Sequence, residues 1–196
     1  MQLSGQNRQE WNRLLQAILD YDRVAREEIR QEHDTLRLLG QDNFRRYLPM
    51  QRVRLRVGPE DRLWEVLAAA SAAVATGARI TISRPVDLHD EWEAWMEQWT
   101  QDWGADIEFV EETDQVFLGA LVGGQADRVR VLRPGSLALA ILQTAIEHHV
   151  PVVDEPLHAS GRIELLWYVQ EQSVSTDYHR YGNLGVRATE ARREPT

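Results

Sequence analysis

Cysteine and lysine are both absent from this chain of 196 residues. Without a thiol there is no disulfide framework, no thiolate metal ligand and no cysteine nucleophile. Without lysine there is no Schiff-base amine and no P-loop lysine; all 22 basic residues are Arg. No apolar run approaches the ~18 residues of a membrane span. The opening MQLSGQNRQEWN lacks the apolar centre of a secretory signal. A soluble, cytoplasmic protein with no membrane span is the expectation.

What is present is one core's worth of apolar side chains, 43% of the chain, which predicts one compact domain plus extensions. The net charge is −9, and its placement is uneven. Residues 51–160 hold 9 Arg against 18 acids, and from Pro85 to Gln115 there are eleven acids and no Arg. Such a surface repels phosphate backbones, so nucleic acid is excluded as a partner.

Asn7 to Arg30 reads as one long helix, with Trp11, Leu14, Leu15, Ile18, Leu19, Tyr21 and Ala25 at three- and four-residue spacing. From His33 to Met50 the periodicity fails, and Gly40, Asp42, Asn43 and Pro49 punctuate a connector. A regular alternation follows. Strands are expected at Val53–Val57, Arg79–Ser83, Ile107–Val110, Val129–Leu132 and Val150–Val153. Helices are expected from Pro59 to Thr76, from Leu88 to Trp103, from Thr113 to Val122 and from Ser136 to His148. Short strands alternating with helices imply right-handed crossovers and a parallel sheet covered on both faces. The predicted class is α/β: a Rossmann-like three-layer domain over 51–160, preceded by a helix and connector over 1–50. Residues 161–196 read as an amphipathic helix over Gly161–Gln172, though a strand is possible, and then an extended arm.

The chemistry-bearing motifs are weak. The first strand-to-helix turn reads Val57–Gly58–Pro59–Glu60–Asp61, with one glycine, a proline lacking N–H and two acids. A pyrophosphate needs the opposite. Trp92, Trp95, Trp99 and Trp103 share one face of a helix; that face is either core or a docking face for another domain. His148, His149, Asp154, Glu155 and His158 straddle a strand without the spacing of a metal site on one helix, so no metal is expected. Glu111–Glu112 lie in the solvated acidic stretch, and no Ser sits in a nucleophile elbow. An unrecognised active site near Ser83–Pro85 or Glu111–Asp114, or an independent small-molecule or nucleotide-binding module, are the alternatives to a domain without catalysis of its own.

Two segments narrow the choice. Glu164–Gly185, ELLWYVQEQSVSTDYHRYGNLG, resembles the C-terminal motif of the proline utilization A family, fused proline dehydrogenases and L-glutamate γ-semialdehyde dehydrogenases. Gly40–Pro49, GQDNFRRYLP, resembles the junction that follows the aldehyde dehydrogenase catalytic domain in that family. The resemblance implies a non-catalytic aldehyde-dehydrogenase-superfamily domain, with NAD and FAD bound only by the catalytic domains. It implies an arm that packs over the aldehyde dehydrogenase active site and closes the tunnel for the pyrroline-5-carboxylate/glutamate semialdehyde intermediate. Glu171, Gln172, Ser173, Ser175, Tyr178, His179, Arg180, Tyr181, Gly182 and Asn183 are the arm residues it singles out. The partners would be the proline dehydrogenase and aldehyde dehydrogenase catalytic domains, on the same or a separate chain, with oligomerisation through the arm also open. The alternation of Val174, Thr176, Tyr178 and Arg180 suits a strand that borrows its partner from a foreign sheet edge.

Overall fold

In the computed structural model, which describes residues 5–88, 106–179 and 182–190, five parallel strands form a central sheet. After helix α1 (Gly5–Val24) and a π-helical turn (Ala25–Ile29) come β1 (Gln41–Pro49), β2 (Val53–Arg56), α2 (Leu63–Thr76) and β3 (Ile80–Arg84). Then follow β4 (Ile107–Glu111), α3 (Asp114–Val122), β5 (Arg128–Val131), α4 (Leu139–Glu147) and β6 (Val152–Asp154). Last come a four-residue helix α5 (Gly161–Glu164), a 3-10 turn (Leu165–Tyr168) and β7 (Val169–Asp177). The sheet order is β4-β3-β2-β5-β6. The chain begins in the middle, winds outward to β4, and returns to the other side at β5, so the winding direction reverses between β2 and β5.

Paired residues in a parallel sheet share a face, and here the two faces differ in chemistry. Val53 and Leu55 register with Ile80 and Ile82, and this face packs on α2 and α1 in one cluster with Leu14, Ala17, Tyr21 and Val24. Helix α2 is apolar nearly all round because it lies between sheet and α1; Ala68, Ala69, Ala70, Ala72 and Ala73 are fully buried. Gly77 ends α2 at φ +78, a left-handed position that glycine takes without strain. On the opposite face Val129 packs with Phe117 and Leu121 of α3 and Ile141 and Ala145 of α4.

Two expectations need correction. The stretch 33–50 is not only a connector, because Gln41–Pro49 is strand β1. Residues 161–172 are not one helix: α5 stops at Glu164, a 3-10 turn follows, and the backbone is extended from Val169 (φ −129, ψ 161). Arg128 Nη1 donates to the carbonyls of Leu166, Trp167 and Val169 at 3.3, 2.7 and 3.4 Å. A continuing helix needs those acceptors for its own N–H groups. The expected helix from Leu88 to Trp103, with Trp92, Trp95, Trp99 and Trp103, lies outside the described residues beyond Leu88.

Candidate functional site

The reversal between β2 and β5 creates the crevice at the carboxyl ends of the strands where α/β sheets bind ligands. In this chain the crevice is occupied by the protein's own side chains. Gly58 N–H donates to Asp61 Oδ2 at 2.8 Å, and Asp61 N–H returns to the Gly58 carbonyl at 3.2 Å. The Arg62 N–H is taken by Glu65 Oε2 at 3.0 Å. Arg133, just past β5, reaches across to the Glu65 carboxylate and to the Glu60 carbonyl at 3.3 Å, joining the two walls. Burial pushes the Asp61 carboxyl above the usual range, and the Glu65 carboxylate raises the Arg133 guanidinium further. This turn does not fit a pyrophosphate: its amide donors serve carboxylates, and a phosphate would meet two acids.

On the face away from α2, β2 presents two arginines to the interior. Arg54 makes a buried fork to Glu112, with Nη2 at 2.7 and 2.9 Å from the two carboxylate oxygens. Arg56 donates to Ser83 Oγ (2.8 Å), the Glu112 carbonyl (3.2 Å) and Asp114 Oδ1 (2.5 Å). Both guanidinium groups lie over the Phe117 ring, 5.5 and 5.2 Å from its centre. Glu112 is therefore not solvated, contrary to expectation: it is 5% exposed. Glu111, its neighbour, is outside and pairs with Arg84 at 2.8 Å. Ser83 and Glu111–Asp114 tie the ends of β2, β3 and β4 together.

The histidine–acid run is dispersed as well. Asp154 accepts the Gly135 N–H at 3.1 and 3.0 Å, and His158 gives its backbone groups to Tyr21 and Glu164. Among the described residues no three His, Asp or Glu side chains gather as a metal site.

The structure brings together the two segments that lie far apart in sequence and resemble one family. β1 and β7 form an antiparallel ribbon of nine residue pairs, from Gln41↔Asp177 to Pro49↔Val169. So β7 is a strand, as its alternation predicts, but one of its edges is paired within its own chain. Cross-strand bonds follow the register. Gln41 Nε2 donates to Asp177 (2.7 Å), Ser175 Oγ to Asn43 (2.8 Å) and Arg46 Nε to Gln172 (2.7 Å). Glu171 stands opposite Tyr47, and Ser173 opposite Arg45. At the tip, Tyr178 N–H donates to the Gly40 carbonyl (2.9 Å), and His179 Nδ1 lies 3.0 Å from the same oxygen. Gly182 is left-handed at φ +79, and Asn183 Oδ1 accepts the Gly185 N–H at 2.9 Å. Arg187 folds back over the Tyr178 ring at 3.9 Å and pairs with Asp42 at 2.7 Å. Arg180 and Tyr181 lie outside the described residues.

The root of the ribbon holds a buried group that sequence reasoning missed. Arg130 and Glu164 are both fully buried and 3.2 Å apart. Glu164 also accepts the Tyr168 hydroxyl (3.1 Å) and the His158 N–H (2.9 Å). Tyr21 donates to the His158 carbonyl at 2.5 Å, and Gly161 N–H donates to Asp20 at 2.7 Å. Burial pushes both the Tyr21 and Tyr168 hydroxyls well above the usual phenol range. The available signal was Arg130 itself, placed inside the alternating Arg128–Val131 strand where one of the two faces must be core.

Comparison with known proteins agrees with this architecture. No family model matches the chain, and no curated protein matches it. Among solved structures it resembles proline utilization A (PutA) of Corynebacterium freiburgense, with a TM-score of 0.57 and 22% identity over 93% of this chain. It also resembles a betaine aldehyde dehydrogenase of Staphylococcus aureus (TM-score 0.60, 11% identity, 75% of this chain). An aldehyde dehydrogenase of Bacillus cereus is similar over 74% of this chain (TM-score 0.56, 15% identity). The chain spans 15% of the length of that PutA and 30% of each of the two aldehyde dehydrogenases. The likeness is one of fold: this chain shares its α/β architecture with part of each of these proteins.

Proposed function

We propose that this chain is a structural and channelling domain, without catalysis of its own, for a proline-catabolic proline dehydrogenase/L-glutamate γ-semialdehyde dehydrogenase. The tip of its ribbon, Tyr178 to Asn183, covers the partner's aldehyde dehydrogenase active site and retains the semialdehyde intermediate. The observation that carries this reading is the ribbon: GQDNFRRYLP and the C-terminal motif, which resemble the same family, pair residue by residue. The aldehyde-dehydrogenase-like fold supports it. So does the crevice, where Asp61, Glu65 and Arg133 take the place a dinucleotide phosphate would need. NAD and FAD then belong to the catalytic domains. The absence of Cys also fits, since an aldehyde dehydrogenase forms its thiohemiacetal on a thiolate.

The test mixes the purified chain with proline dehydrogenase/aldehyde dehydrogenase polypeptide that lacks this region and measures sedimentation. A new, faster species containing both chains is expected, and the chain alone should oxidise no glutamate semialdehyde with NAD. Turnover by the isolated chain, or independent sedimentation of the two at all concentrations, would contradict the assignment.

A further inference from the structure

Past Asn183 the chain turns back onto the ribbon. Gly182 and Gly185 are left-handed, at φ +79 and +60, and a 3-10 turn over Gly185–Arg187 follows. The segment is stitched locally. Arg187 N–H donates to the Leu184 carbonyl at 3.3 Å, Ala188 N–H to the Gly185 carbonyl at 3.2 Å and Glu190 N–H to the Arg187 carbonyl at 3.1 Å. Between Gly182 and Glu190 only Leu184 and Arg187 are half-buried, and the other residues are exposed. Three residues apart in such a turn, these two lie on one side of it, and that is the side by which the segment meets the rest of the chain.

Arg187 makes the attachment. Its Nη1 lies 2.7 Å from Asp42 Oδ2 and its Nη2 3.3 Å from Asp42 Oδ1, a forked pairing that fixes the plane of the guanidinium. Its Nε donates to both Glu190 oxygens at 2.8 Å. With its edges held in this way, the guanidinium lays its face on the Tyr178 ring, 3.9 Å from the ring centre. Asp42 is in β1 and Tyr178 follows β7. One side chain therefore ties the ends of both strands together, at the place where Tyr178 N–H meets the Gly40 carbonyl. Arg187 lies beyond the motif Glu164–Gly185, so the resemblance assigns it no role.

We propose that Gly182–Glu190 is a strap which Arg187 latches across the ribbon tip, and that Arg187 is a positioning residue for Tyr178, ordering the tip before the partner arrives. Order established in the free chain removes a cost that association would otherwise bear. The strap rests on the reading that the tip covers the partner's aldehyde dehydrogenase active site.

Two variants keep every residue from Tyr178 to Asn183 and lose the latch: Arg187→Gln, and a chain ended after Gly185. Without any partner present, hydrogen exchange at the Tyr178 amide should be roughly threefold faster or more in both, the scale on which a partly exposed charge pair acts. The melting temperature of the sheet domain should not change. Assembled with the partner dehydrogenase and supplied with proline, both variants should show a lag in NADH production that the full chain lacks. Unchanged exchange at Tyr178 would overturn the strap and leave the covering reading in place. So would the absence of a lag from either variant while a chain ended after Asp177 does lag. No lag in any of the three would overturn the covering reading and the strap with it.

Discussion

Glu164 carries four contacts on two oxygens: the Arg130 guanidinium on both, the Tyr168 hydroxyl and the His158 N–H. A buried pair is expensive to break and cheap to replace, because removing one charge strands the other. Glu164→Gln keeps the shape but offers one acceptor oxygen in place of two, so it cannot accept from both the Tyr168 hydroxyl and the His158 N–H, and it leaves the fully buried Arg130 uncompensated. The expected cost is about 3–5 kcal/mol, a fall in melting temperature of roughly 10 °C or more for a chain of this size. Arg130→Met with Glu164→Leu should recover most of it. A single substitution as mild as the double would show that the pair contributes little. Asp61 gives a pH test of the opposite kind. Its folded carboxyl titrates above the ordinary 3.8 because burial disfavours the charge. Below 3.8 folded and unfolded chains both hold the proton; as pH rises the folded state keeps it longer, so this group's contribution to stability declines. Asp61→Asn, which still accepts the Gly58 N–H, should therefore raise the melting temperature at pH 7 and change it little at pH 3. Calorimetry at the two pH values checks both directions.

Among the elements, the ribbon depends on one glycine. Gly40 lies at φ +89 where β1 begins, and a Cβ there would stand 2.8 Å from His179 Nδ1 and 2.9 Å from its ring carbon. Gly40→Ala should strain the backbone by about 1–3 kcal/mol and push the His179 ring off the Gly40 carbonyl. Faster hydrogen exchange at the Tyr178 amide, which bonds that carbonyl, is the expected readout; unchanged protection would show that the tip is held from elsewhere. The central strands and the first helix were legible because each buries a patterned face: Val53 and Leu55 in β2, and Leu14, Tyr21 and Ala25 in α1 and the turn after it, although Leu15 and Leu19, read as part of that face, are exposed and Ala17 and Val24 take part in it. β1 was not legible because its seven residues from Gln41 to Tyr47 are all half-buried, so no alternation marks them. Asp42 and Asn43 read as breakers, yet Asn43 is a cross-strand partner of Ser175. The segment 161–172 misled in the other direction. Ile163, Leu166, Trp167 and Gln170 are spaced for a helix, and only the long-range bonds from Arg128 show why the helix stops.

For the molecule as a whole, the alternation of elements was enough to give a Rossmann-like sheet, and its order β4-β3-β2-β5-β6 places the ligand crevice where such sheets have it. The sequence of the turn, Pro59, Glu60 and Asp61, was plain to read, and the structure adds that its amide donors are taken by carboxylates. The Arg133–Glu65 tie across the crevice was not plain, since 68 residues separate the partners. The acidic excess was misleading in part: Glu112, counted as surface, is buried against Arg54, whereas Asp114 is exposed and reaches Arg56 from the surface. The central claim concerns the ribbon tip, and a chain ended after Asp177 keeps all nine paired positions of the ribbon while removing everything from Tyr178 to Thr196, the proposed covering segment Tyr178 to Asn183 included. The decisive measurement is NADH production from proline by the partner dehydrogenase, assembled with the full chain or with the shortened one. The account predicts immediate production with the full chain and a lag with the shortened one, as the semialdehyde escapes and must be recaptured from solution. Equal lag and equal rate for the two assemblies would contradict it.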